Sequence, residues 1–176
     1  MEQNILKRYN EIHTMLWEEV IKVFSVRTSN INDIKYYKEN GQLSKKLRIT
    51  NIKSTALLHL FVKGKITEEE KDNLLMESNC SACYIAHIVH NINFEFKEGK
   101  GVFGRICYYC PIVRWRRRTP CNEFYIISDL LKDLELYIVN CISGKEKFNL
   151  KAYTKFRKAI MKKMYIVAHL EWRYED

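Results

Sequence analysis

The chain has 176 residues, 47% of them apolar, which is enough to build a buried core and excludes an intrinsically disordered polymer. Thirty Lys and Arg against 21 Asp and Glu leave a net charge of +9, which points to an anionic partner or an acidic protein face, although solubility alone is served by the same excess. Apolar runs are too short to cross a bilayer; the run over residues 56–62 is interrupted by His59.

Residues 2–24 place Ile5, Tyr9, Ile12, Leu16, Val20 and Val23 on one helical face, widened by Trp17 and Phe24, and predict a helix that packs by this stripe. Lys7, Arg8, Glu11, Glu18 and Glu19 interrupt the same stretch, so it does not read as an export signal. Glu18 and Glu19 read as part of a solvated face. Residues 25–30 are mostly polar and read as a loop. Ile31, Ile34, Tyr36 and Tyr37 suggest a short helical segment that Gly41 would end. Residues 44–62 carry Leu47, Ile52, Leu57, Leu58, Leu60 and Phe61, with Gly64 placed as a C-terminal cap. Thr67, Glu68, Glu69 and Glu70 form a capping box that opens a helix through Leu74, Leu75 and Met76.

Residues 84–89 read as helical again. Residues 92–96 then alternate at the strand period, with Val102, Phe103 and Ile106 as the partner strand and Gly99, Gly101 and Gly104 in or beside the turn. Asn122 can cap a helix over 123–142 that Gly144 terminates, its apolar residues being Phe124, Ile127, Leu130, Leu131, Leu134, Ile138 and Cys141. A last helix over 150–172 would bury Tyr153, Phe156, Ile160, Met164 and Val167, and the short link favours an antiparallel pair. The predicted fold is mainly α: a helical region over 1–78, a zinc-bound β-hairpin insert over 79–121, and a C-terminal helical hairpin over 122–176, together one compact domain.

Two cysteine pairs, Cys80 with Cys83 and Cys107 with Cys110, each have the C-x-x-C spacing that lets two thiolates bind one tetrahedral ion. Together they complete a four-sulfur shell, for which zinc is the expected metal. The 23 residues between the pairs slightly exceed the roughly 15–20 of the usual four-cysteine pattern. Ordinary buried cysteines or a redox dithiol are the other readings, the latter lacking a βαβ context. His87 or His90 could replace one cysteine, since on a helix from Cys83 they lie four and seven residues on. Cys121 is a spare candidate ligand, and Cys141 reads as a small buried hydrophobe. Six cysteines without an export signal predict a reducing cytoplasm, where paired thiols bind metal in preference to forming disulfides.

No catalytic signature is present: there is no H-E-x-x-H, no phosphate-loop lysine and no nucleophile elbow. Gly99, Gly101 and Gly104 match G-x-G-x-x-G, but Arg105 leads into a cysteine pair where a dinucleotide site needs a helix. A saturated four-thiolate metal does not readily activate water, so the chain is expected not to be an enzyme or to take a small-molecule substrate.

Residues 99–122 hold six Lys or Arg and no Asp or Glu, densest at Arg114, Trp115, Arg116, Arg117 and Arg118. Guanidinium groups pair with phosphates, and Trp115, Tyr108 and Tyr109 offer faces for base stacking, Trp115 being equally able to pack against the metal knuckle. Lys151, Lys155, Lys158 and Lys162 fall on one stripe of the last helix, opposite Tyr153, Ile160 and Met164; this could track phosphates or be a solvated helix face.

The order C-x-x-C, then Cys107-x-x-Cys110-Pro111, then Thr119-Pro120 beside Cys121 resembles small uncharacterised zinc-knuckle proteins of phages and prophages of Gram-positive bacteria. The resemblance covers about a quarter of the chain; this sequence has a longer inter-pair segment and its third cysteine after the proline. It implies a metal-binding accessory protein of a mobile element, working in the host cytoplasm. The expected function is nucleic-acid binding through Arg114, Trp115, Arg116, Arg117 and Arg118. The alternative is a phage-type inhibitor or adaptor that binds a host protein or nucleoprotein defence complex.

Overall fold

In the computed structural model, residues 2–30, 38–39, 42–43, 47–76 and 122–170 are described, and they are mainly helical. Five helices are described: α1 (Glu2–Arg27), α2 (Ile49–Val62), α3 (Glu68–Met76), α4 (Asn122–Ile142) and α5 (Leu150–Ala168). A two-residue ladder, β1 (Lys38–Glu39) with β2 (Gln42–Leu43), pairs antiparallel in the register Lys38 to Leu43 and Glu39 to Gln42. The expected helix over 84–89, the hairpin of 92–96 with 102–106, both cysteine pairs and the Arg-rich run lie outside the described residues.

The stripe of α1 is core as its spacing requires. Ile12, Leu16, Trp17, Val20, Val23 and Phe24 are buried, joined by Leu6, whereas Ile5 in the first turns of the helix is exposed. The helix runs one turn further than the polar run over 25–30 suggests. Arg27 Nη1 and Nη2 donate to Asn51 Oδ1 at 2.8 Å and Thr55 Oγ1 at 2.7 Å, so residues that look like a loop are held by α2.

α2 and α5 both run back along α1. Arg27 meets the start of α2 while Glu19, two turns earlier, meets His59 and Lys63 at its end. On the other side His13 Nε2 donates to the Val167 carbonyl at 2.8 Å near the end of α5, and Tyr153 Oη, near its start, donates to the Thr28 carbonyl at 2.6 Å. Arg157 adds Nε to Thr28 Oγ1 at 2.9 Å and Nη2 to the Ser25 carbonyl at 3.0 Å. A cation and a hydroxyl thus satisfy the C-terminal carbonyls of α1, where the helix dipole favours positive charge. Burial pushes the Tyr153 phenol up to about 12, so it stays a donor throughout the neutral range.

The helix ends follow local chemistry. Gly64 (φ 69°) closes α2: its N–H donates to the Phe61 carbonyl and Lys65 N–H to the Leu60 carbonyl, both at 2.9 Å, the paired bonds of a Schellman turn. Thr67 N–H bonds Glu70 Oε2 at 2.8 Å while Glu70 N–H bonds Thr67 Oγ1 at 3.1 Å, so the capping box forms. The same Glu70 carboxylate takes Arg8 Nε and Nη2 at 2.8 and 2.9 Å, a two-pronged bond that ties α3 to α1. Gly144 (φ 75°) follows α4, and Asn149 caps α5 by accepting from Ala152 N–H at 3.1 Å. Tyr137, absent from the sequence-based core of α4, is buried and clasps Asn149: its oxygen accepts from Asn149 N–H at 2.9 Å and donates to the Asn149 carbonyl at 3.2 Å. α4 and α5 pack on one another, with Tyr137 and Phe156 rings 5.3 Å apart and Ile127, Leu134 and Ile138 in the core. α5 ends at Ala168, four residues before the expected Trp172, with His169 N–H bonded to the Ile166 carbonyl as the turn tightens. No described helix is long and apolar enough to cross a membrane.

This packing separates two sets of substitutions. Leu16→Ala, at a fully buried site, is expected to cost about 2–5 kcal/mol, and Arg157→Ala about 1–3 kcal/mol by stranding the Ser25 and Thr28 groups. Leu136→Ala, at an exposed position of α4, should stay within about 0.5 kcal/mol. Urea unfolding of the three variants checks the order.

Candidate nucleic-acid interface

Of the residues singled out for chemistry, Cys80, Cys83, Cys107, Cys110, His87, His90 and Cys121 lie outside the described residues, as do Arg114, Trp115, Arg116, Arg117 and Arg118. Among the described residues no group of three or more His, Cys, Asp or Glu side chains is placed to hold a metal. Cys141 is a free thiol, half-buried and packed against the core.

The described charged surface with the clearest organisation is the outer face of α5. This helix carries six Lys or Arg and no Asp or Glu. Tyr153, Ile160, Met164 and Val167 are buried against α1, and Phe156 is half-buried against Tyr137, which turns Lys151, Lys155, Lys158 and Lys162 outward on the opposite side. At about 100° per residue the four lysines share an arc of about 60°, and they span about 16 Å of helix. All four are exposed, and among the described residues none of them forms an ion pair. Among the described residues, they line an open groove of about 830 Å³ together with Leu150, Thr154 and Ala159. The lysines therefore project from a partly apolar floor, where their charges are less completely offset by protein groups than on a mixed-sign surface.

A second charged group was missed by sequence reasoning. Glu19, expected on a solvated face, has a side chain only 7% exposed. Its carboxylate accepts from His59 Nδ1 at 3.1 Å and from Lys63 Nζ at 3.0 Å, and Lys22 Nζ is 3.9 Å away. Burial alone pushes this carboxyl up, but the bonds from Lys63 and His59 and the charges of Lys63 and Lys22 outweigh it and hold the group below its ordinary value of 4.5. Its partners are 40 and 44 residues away, so no local pattern announces the pairing. Glu70 is held low as well, first by the hydrogen bond from Arg8, against burial, with the Thr67 N–H adding to the effect. Both clusters join helices and are chemically saturated, which makes them framework.

No family model, curated protein or solved structure matches this chain.

The lowered Glu19 and Glu70 carboxyls fix the sign of an acid dependence. Their contribution is fully present above the ordinary value of 4.5 and is lost as pH falls through the lower folded values. Urea midpoints measured from pH 7 down to 3 should therefore decline below about 4.5 in the parent chain. The Glu19→Gln, Glu70→Gln double variant should start lower and show a shallower decline over the same window.

Proposed function

We propose that this chain is a zinc-stabilised, non-enzymatic binding protein that contacts nucleic acid through the basic segment Arg114, Trp115, Arg116, Arg117 and Arg118. In this reading residues 79–121 insert a zinc-bound hairpin, held by Cys80, Cys83, Cys107 and Cys110, between the helical regions 1–78 and 122–176. The last two helices form an antiparallel pair behind it. Four thiolates suit zinc and fill its tetrahedron, so the metal serves architecture and the function is binding.

The observation that carries the reading is the outer face of α5. Four exposed lysines on a helix without a single carboxylate give this basic chain an organised cationic surface, in addition to the arginine-rich run of its sequence. Phosphates are the ligand that uses both surfaces: lysines supply point charges along a backbone, and arginines supply two-pronged bonds at individual phosphates.

Two measurements on one preparation test this. Elemental analysis of protein purified without added metal should find one zinc per chain; its absence, or the absorbance of an iron–sulfur cluster, would remove the metal assignment. Affinity for a mixed-sequence oligonucleotide should fall linearly in log–log form with salt, by about 0.7–0.9 per phosphate neutralised. Replacing Arg114, Arg116, Arg117 and Arg118 by alanine should lower that slope and leave zinc content and helicity unchanged. A host protein retained after nuclease treatment, with no oligonucleotide binding, would overturn nucleic acid in favour of the inhibitor or adaptor reading.

A further inference from the structure

The lysine stripe of α5 does not stop at Lys162. Tyr165 and His169 lie about 50° and about 10° from the mean direction of Lys151, Lys155, Lys158 and Lys162, so the stripe continues to the end of the helix. Tyr165 is 59% exposed, unlike Tyr153 on the same helix, which is 3% exposed. Its ring is stacked on that of His169, with centroids 4.1 Å apart and planes 34° from parallel. His169 is itself held by Nδ1, which donates to the Tyr165 carbonyl at 2.8 Å, and its Nε2 lies 4.0 Å from Glu18 Oε1 on α1. An aromatic ring left in water, backed by a second ring that its own hydrogen bond ties to the end of the helix, is preorganised to receive a third ring.

We propose that Tyr165 is a base-stacking platform at the end of this lysine track, so that α5 binds single-stranded nucleic acid. The inference rests on the nucleic-acid reading above and specifies its ligand. Phosphates follow Lys151, Lys155, Lys158 and Lys162 along the groove, and an unpaired base lies on the solvent face of Tyr165. The charge distribution sets this order. The lysine end of the stripe has no described counter-charge, whereas the Glu18 carboxylate beside His169 repels phosphate and favours a neutral base there. A duplex keeps its bases stacked on one another and has no free face to offer Tyr165, while a single strand has one at every nucleotide. Lysines at these positions act as point charges without the planar fork that reads base edges, so binding is expected to be indifferent to sequence.

The test uses the full chain, with anisotropy titrations of a labelled single-stranded oligothymidylate and of a duplex of equal length. The single strand should bind more tightly than the duplex. Tyr165→Ala and Tyr165→Leu should each weaken single-strand binding about five- to a hundredfold, as loss of one stacked base does, with the salt slope unchanged. Tyr165→Phe, which keeps the π-face, should bind like the parent. Replacing Lys151, Lys155, Lys158 and Lys162 by alanine should instead lower the slope by about 3, at about 0.7 per single-strand phosphate. All five positions are exposed, so circular dichroism should show parental helicity in every variant. Duplex bound as tightly as single strand, or single-strand binding unmoved by Tyr165→Ala and Tyr165→Leu, would overturn this inference while leaving the nucleic-acid reading in place. Failure of the parent chain to bind either probe would overturn both.

Discussion

The described fold depends on one constraint: α1 must be covered along two sides. Its buried residues are spread too widely around the helix for a single neighbour, and α2 and α5 close on it from different directions. Apolar burial supplies the drive, but it does not by itself choose the direction or register of the covering helices. The polar bonds do. Arg27 and Glu19 set α2 against α1 at two heights, and His13, Tyr153 and Arg157 set α5. A shift of α5 by one turn would strand the His13 and Arg157 donors together, at a cost that apolar contacts tolerate far better than buried polar groups do.

This constraint links the core to the surface. Once Tyr153, Ile160, Met164 and Val167 are turned onto α1, the 3.6-residue period leaves no freedom for Lys151, Lys155, Lys158, Lys162 and Tyr165: they face water as one strip. The cationic strip is therefore as rigid as the helix that carries it, so the proposed binding of an anion there would cost little backbone ordering. Tyr137 and Asn149 add to this from the other end, because they fix where α5 begins.

Periodicity and capping chemistry made much of this legible in the amino-acid sequence. The stripes of α1 and α5, the capping box at Thr67 and Glu70, and the glycines after α2 and α4 are all local patterns, and local patterns survive into the structure. What stayed hidden is non-local. Glu19 looks like any surface glutamate until α2 brings His59 and Lys63 to it, and Ser25 and Arg27 look like loop until Arg157 and Asn51 hold them. Leu58 and Leu75, apolar residues of the expected helices, face outward on helices whose buried sides are already filled. The residues on which a short helical segment was anticipated, Ile31, Ile34, Tyr36 and Tyr37, lie outside the described residues; just after them Lys38 and Glu39 pair with Leu43 and Gln42, for which the Asn40-Gly41 pair in the sequence was the available hairpin signal. The cysteine pairs and the arginine run were read from spacing and charge, and they fall outside the described residues.

α5 turns one face to the protein and the other to solvent, and lysine reactivity measures that division, and the proposed use of the outer face, most directly. Acylation of the full chain, read residue by residue by mass spectrometry with and without a single-stranded oligonucleotide, should label Lys151, Lys155, Lys158 and Lys162 readily in the free protein. All four should be protected in the complex, while buried Lys53 stays unlabelled in both. Equal labelling of the four lysines with and without the oligonucleotide, under conditions where it is bound, would contradict the account. So would four lysines that resist labelling in the free chain.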